Sequence, residues 1–398
     1  MSLSFSLLLF LLLLVPEALS GALVPAALVP AALVPAALVP AALVPAAFQF
    51  ATIGDWGGAS LGGYHLKNVQ QTAAAVAALD TGPAFVVNTG DSFYYCGIQN
   101  ISDPQITEDY ITIFNQSGGV DGGVGVRPLW YSVLGNHDYG FVPEAQLELS
   151  KVIPAWVMDA RYYWRRIPLS GSGAGADAGV VINLIALDTS PCVTDYRQDD
   201  PVKWDPCGKE FPTCAPQPGQ CRFHENVLAQ DCASQVAWLA RVLDEIRSKT
   251  AKTAKTAKAG ATEWTIVVGH HRADQLEFPA RQYPFQALLD RPDVHLYLNG
   301  HVHSLEHYAI NAQAKYVTSG AASMVVEEVE EVEGRGGRGG RSMGRGGRSM
   351  GRNAVSRVWS RMVTGYTLHT VNSTALTTEF RDAHTNKVIY AFTFTFRK

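Results

Sequence analysis

Five short segments carry side chains able to bind cations: Gly54-Asp55-Trp56-Gly57, Gly90-Asp91-Ser92-Phe93-Tyr94, Gly135-Asn136-His137-Asp138, Val267-Val268-Gly269-His270 and Gly300-His301-Val302-His303. Aspartate, tyrosine and asparagine offer oxygen donors that suit hard cations, and imidazole suits iron, zinc or manganese. Asp55, Asp91, Tyr94, Asn136, His270, His301 and His303 are too many donors for one tetrahedral zinc. They match two five- or six-coordinate ions. Such a pair, about 3.5–4 Å apart, clamps the attacking and leaving oxygens of an in-line displacement at phosphorus. Each segment alone has a plainer reading. Asp55 could cap a turn, Asn136-His137 could be turn chemistry, Tyr94 could be core, and the rings of His301 and His303 could face opposite ways. All five in one chain, each after an apolar run, argue for one shared site.

The elements that must position these residues are short, β-branched or aromatic runs of strand length: Phe48–Ile53, Phe85–Thr89, Leu129–Leu134, Val180–Leu187, Trp264–Val268 and Val294–Leu298. Continuous apolar runs predict strands buried on both faces. Their carboxyl ends carry the Gly-plus-polar segments, and ligands in α/β folds gather where loops leave such ends. Between them, 66–79 and 233–246 have helical spacing, the second through Val236, Leu239, Val242, Leu243 and Ile246. The alternation from Tyr366 to Phe396 predicts antiparallel strands.

The order Asp-x-Gly, Gly-Asp-x-x-Tyr, Gly-Asn-His-Asp, Val-x-x-His, Gly-His-x-His resembles the motif set of the purple acid phosphatases, small animal-type branch, within the calcineurin-like metallophosphoesterases. The resemblance spans Phe48 to about Val325 and includes Leu187-Asp188-Thr189-Ser190-Pro191. It implies an α/β fold with a two-sheet β-sandwich flanked by helices and the site at one edge. Carried over by motif, Asp55, Tyr94 and His303 would bind Fe(III), and Asp91 would bridge. Asn136, His270 and His301 would complete a site for a second divalent ion, Fe, Zn or Mn. A hydroxide whose pKa the cations lower would attack phosphorus, and His137 would hold a phosphate oxygen or protonate the leaving alkoxide. Asp138 is a candidate to orient His137. Two departures stand out: Pro279 lies where the family often has a second histidine, and Val302 where an acidic residue is frequent. The implied activity is an acid phosphatase acting on small phosphate monoesters or phosphorylated proteins. A diesterase or nucleotide hydrolase, and a non-catalytic metal-binding protein on the same scaffold, are the alternatives.

The 398 residues carry a net charge of -4, which gives no support to a nucleic-acid partner or an anionic membrane. Residues 1–20 read as a signal peptide whose apolar run, Leu7 to Val15, is too short for a membrane span. Residues 21–47 form a spacer built on five Ala-Leu-Val-Pro-Ala repeats, where proline at every fifth residue forbids a long helix. The metallophosphoesterase domain takes 48–398, with a disordered insertion expected at 325–352 and a solvated loop at Lys249–Lys258. Export to the extracellular space, or to a lysosomal or vacuolar lumen, fits six cysteines and three sequons at Asn100, Asn115 and Asn372. Pro191 to Cys232 reads as a disulfide-stapled loop of open connectivity. A monomer is expected.

Overall fold

Parallel strands that end level with one another bring their exit loops to one height, and this chain contains two such sets. The computed structural model describes residues 47–80, 82–114, 128–169, 179–198, 204–208, 213–214, 220–256, 262–278, 284–325 and 354–395. They belong to a unit running from Pro45 to Lys398. The expected signal peptide, the spacer up to Ala46, the insertion from 326 on, and the Asn115 sequon lie outside the described residues.

The strands are β1 (Phe48–Ile53), β2 (Phe85–Asn88), β3 (Leu129–Ser132), β4 (Trp156–Val157), β5 (Tyr163–Leu169), β6 (Val180–Ala186), β7 (Thr262–Val268), β8 (Leu296–Asn299), β9 (Leu305–Ile310), β10 (Gln313–Ser319), β11 (Val355–Arg361), β12 (Gly365–Val371), β13 (Ala375–Asp382) and β14 (Val388–Thr395). They form two seven-stranded mixed sheets, ordered β14-β13-β12-β1-β2-β3-β4 and β11-β9-β10-β8-β7-β6-β5. In the first sheet β1, β2 and β3 run parallel, with Ile53 opposite Asn88 and Asn88 opposite Ser132. In the second, β6, β7 and β8 run parallel, with Ala186 opposite Val268 and Val268 opposite Leu298. A single core spans both sheets, including Phe50, Trp56, Val87, Leu184, Ile266 and Leu298.

The apolar runs behave as their composition dictates. β2, β6, β7 and β8 are buried at every position, as strands covered on both faces must be. β13 and β14 alternate in burial, with Leu376 and Phe380 inward. The first helix, Gly63–Ala77, buries His65, Val69, Thr72 and Val76 on one face.

Two expectations need adjustment. The helix that starts at Cys232 does not stop near Ile246; it continues to Thr256, so Lys249 to Thr256 is helix rather than loop. Alanine and lysine are good helix formers, and Lys249 pairs with Glu245 one turn back at 2.6 Å. Thr250 Oγ1 also donates to Ile246 O at 3.0 Å. The Pro191–Cys232 stretch is stapled as expected, but it also contains a helix, Phe223–Leu228, and several 3-10 turns. The pairing left open by sequence is Cys96–Cys214, Cys192–Cys232 and Cys207–Cys221. Three disulfides accord with an oxidising compartment. Among the described residues, no helix is long and apolar enough to cross a membrane.

Candidate metal centre

Asp55 follows β1, Asp91 follows β2, Asn136 and His137 follow β3, His270 follows β7, and His301 follows β8. The two parallel sets thus deliver their exit loops to the same place. Asp55 N donates to Gly90 O at 3.0 Å, and Gly300 N donates to His270 O at 3.0 Å. Across the sheets, His301 N donates to both oxygens of Asp55, at 3.1 and 2.9 Å. The approach is close enough to require glycine. A Cβ on Gly135 would lie 2.0 Å from Asp91 Oδ1, and one on Gly300 would lie 2.3 Å from Asp55 Oδ2. Asp55, Asp91 and His301 themselves hold left-handed backbone, with φ of 54°, 52° and 67°. Non-glycine residues in that region cost of order 1 kcal/mol each or more, and they cluster at functional sites.

The donors fall into two groups. In one, Asp55 Oδ1 lies 3.4 Å from His303 Nε2, and the Tyr94 hydroxyl lies 3.4 Å from that oxygen and 3.1 Å from that nitrogen. In the other, Asn136 Oδ1 lies 2.8 Å from His270 Nε2 and 3.0 Å from His301 Nδ1. Asp91 adjoins both. It clusters with Asp55 and His303, and its Oδ2 lies 3.4 Å from His270 Nε2. The two histidines of Gly-His-x-His therefore serve different groups.

These separations fit a bound cation. Two bonds of ~2.1 Å at right angles set their donors ~3.0 Å apart. The donor chemistry fits as well. His270 Nδ1 lies 2.8 Å from the Thr89 carbonyl, which can only accept, so Nδ1 carries the proton. Without an ion, a protonated ring donates Nε2–H to the Asn136 oxygen; a neutral ring turns its Nε2 lone pair and that oxygen toward the same point, as two ligands of one cation do. Burial opposes a charge on His270, but Asp91 and Asp55 outweigh it and bring its pKa up to about 9. Burial would raise Asp91, yet His270, His137 and His301 overcome it and hold the carboxyl low. Burial raises Asp55, and burial with Asp55 and Asp91 pushes Tyr94 well above the usual phenol range.

A model of the family described as "Calcineurin-like phosphoesterase" matches residues 48–305. The chain belongs to this family. Among its curated relatives is "Purple acid phosphatase 7" of Arabidopsis thaliana, 28% identical over 285 residues, covering 69% of this chain and 70% of the relative. "Tartrate-resistant acid phosphatase type 5" of Homo sapiens is 26% identical over 289 residues, covering 70% of this chain and 73% of the relative. Among solved structures, "GAP50 the anchor in the inner membrane complex of Plasmodium" superposes with a TM-score of 0.55 at 18% identity, covering 88% of this chain and 90% of that one. That likeness concerns the fold.

Within this calcineurin-like framework, one residue expectation is corrected and several partners are new. Asp138 does not orient His137. Its carboxylate accepts from the backbone N–H groups of Gly135 at 2.8 Å, Ser92 at 3.2 Å and Phe93 at 3.3 Å, fastening the Asp91 and Asn136 loops to each other. His137 is instead set by the Tyr95 carbonyl, 2.6 Å from its Nδ1. Thr189, in the loop after β6, belongs to no ligand motif of the sequence but adjoins the centre. Its hydroxyl accepts from the N–H of both His270 and His271 at 3.1 Å, and lies 2.8 Å from His271 Nδ1. With its lone pairs so occupied, Thr189 donates to Nδ1, and His271 Nε2–H donates to the Tyr196 hydroxyl at 3.1 Å. His271 clusters with His270 and His301. Both its nitrogens are engaged, and burial holds its pKa well below the usual imidazole value. It supports the centre and is not a spare ligand. Pro279 lies outside the described residues.

Proposed function

We propose that this phosphoesterase is a secreted acid phosphatase of phosphate monoesters, working at a dinuclear centre of Fe(III) and a divalent ion. The observation that carries the reading is the division of seven donors into two groups that share Asp91. Asp55, Tyr94 and His303 would hold the ferric ion, Asn136, His270 and His301 the second ion, and Asp91 would bridge them. The ion pair, when bound, would supply an activated water and neutralise charge on the phosphoryl oxygens.

The chain's own residues do the rest. The backbone N–H groups of His301 and His137 fix the carboxylates of Asp55 and Asp91, the latter at 2.9 Å. Thr89 O and Thr189 fix the two adjoining histidines from behind. His137 sits between the Tyr94 ring at 4.7 Å and the Trp204 ring at 5.0 Å, with its Nδ1 proton committed to Tyr95 O. Burial lowers its pKa while Asp91 pulls it back up. A ring so held can deliver a proton to the leaving oxygen. Export, the signal peptide at 1–20 and glycosylation at Asn100 or Asn372 belong to the same reading, supported by the three disulfides.

The test is metal analysis of the purified protein with a visible spectrum and a pH profile on an aryl phosphate. Two ions per chain, iron among them, and turnover at acid pH are expected. Full metal content with turnover of diesters alone would point instead to a diesterase, and without turnover of either ester class to a binding protein on this scaffold.

A further inference from the structure

We propose that an aromatic ridge beside His137, formed by Tyr64, His65, Tyr95 and Trp204, selects phosphate monoesters whose alcohol carries a planar aromatic ring. The inference rests on the phosphomonoesterase reading and adds a substrate class to it.

The ridge is continuous. Ring centroids are 3.9 Å apart from Tyr64 to His65, 6.4 Å from His65 to Tyr95, 5.6 Å from Tyr95 to His137 and 5.0 Å from His137 to Trp204. Its middle adjoins the donor set, because the His137 ring is 4.7 Å from Tyr94. Tyr64 is 58% exposed, and Tyr95 and Trp204 are partly exposed, so their rings remain at the surface. Trp204 belongs to the cysteine-rich insertion. It packs on Tyr196 at 5.5 Å and Phe223 at 5.1 Å, next to the Cys207–Cys221 bridge. The Cys96–Cys214 bridge ties the same insertion to the Tyr94–Cys96 loop, and Tyr95 N donates to Thr213 Oγ1 at 2.5 Å. Trp204 and Tyr95 are therefore held in place before any ligand arrives, which lowers the ordering cost of binding.

The leaving alcohol must lie on the His137 side if His137 protonates it. A planar group on that alcohol then meets Tyr95 and Trp204. Stacking on such rings tolerates many ring types, since each presents a π-face. It is felt equally in ground and transition states, so it should lower KM and leave kcat unchanged.

The experiment compares pairs that expel a similar primary alkoxide: AMP with ribose 5-phosphate, and benzyl phosphate with n-butyl phosphate. In the metal-loaded wild type, each ring-bearing ester should have a KM about tenfold below its partner. Trp204→Leu should raise KM severalfold more for the ring-bearing esters than for the ring-free ones, while Trp204→Phe keeps most of the preference. Tyr95→Leu removes the other ring that the planar group meets and keeps the backbone carbonyl that holds His137; it should act in the same direction and stands in if Trp204→Leu does not fold. Selectivity in the AMP pair alone would assign a nucleobase, and in both pairs any arene. Equal KM values within both pairs would overturn the ridge, as would an equal effect of Trp204→Leu on all four esters, which would make Trp204 a prop for His137. A metal-loaded chain that hydrolyses none of the four would overturn the phosphomonoesterase reading itself.

Discussion

Tyr94 is fully buried, with its hydroxyl between Asp55 Oδ1 and His303 Nε2. Burial and two nearby carboxylates keep it a neutral phenol far above ordinary pH. Only a strongly positive partner at that spot makes a phenolate, and a phenolate on a ferric ion absorbs visible light. Tyr94→Phe removes one oxygen and little volume, so thermal unfolding should shift slightly while the visible band disappears; an unchanged spectrum would reject iron at this position. His301 lies in the other group, 3.0 Å from Asn136 Oδ1. His301→Ala should leave about one metal ion per chain and lower kcat by at least ~100-fold, as loss of a group acting on the transition state does. Metal counting by atomic absorption beside turnover checks both halves. Full turnover with one ion would exclude a two-ion mechanism.

At the scale of elements, the loop after β1 is pinned by a carboxylate from a distant helical segment, Ile106–Ile111. Asp109 accepts from Ser60 N at 2.5 Å and from Gly58 N and Ser60 Oγ at 3.3 Å. Burial nevertheless raises its pKa to about 6, from an ordinary value of 3.8. The folded state then holds a proton that the unfolded state has lost between those pH values. Its contribution to stability therefore falls as pH rises through that window and is level above it. Asp109→Asn resembles the protonated form. Wild type and variant should be similarly stable near pH 4 and differ by up to ~3 kcal/mol, in the variant's favour, above pH 7. Denaturant unfolding at the two pH values reads this, and a constant difference would reject it. The elements also show where periodicity is a weak guide. β9 buries Glu306 and His307, so it lacks the apolar run that marks β6 and β7. The Lys-Thr-Ala stretch is polar like a loop, yet Cys232–Thr256 extends through it because nothing there breaks a helix.

For the whole molecule, the bridges connect what the sheets alone do not. Cys192–Cys232 closes a span of 40 residues between the end of β6 and the long helix. Replacing both cysteines by alanine should cost about 2–4 kcal/mol of stability, read as a lower denaturation midpoint, because the unfolded chain regains the freedom the bridge removes. No change would mean the bridge adds nothing to the folded state. The sequence by itself picked out the candidate donors, the strands that carry them and the glycines beside them. Chemistry-bearing residues, apolar runs and turns are local properties, and a buried parallel strand followed by Gly plus a polar residue is visible without knowing its neighbours. Spacing alone does not say which donors meet; the motif resemblance implied a grouping, and the tertiary contacts put His303 with Tyr94 and Asp55, and His301 with Asn136 and His270. Only tertiary structure decided the Tyr95 carbonyl on His137, the Thr189 hydroxyl behind two histidines, the disulfide map, and Trp204 against His137. Each is a contact between distant positions, set by how two sheets pack and where an insertion is fastened, and no spacing along the chain encodes it.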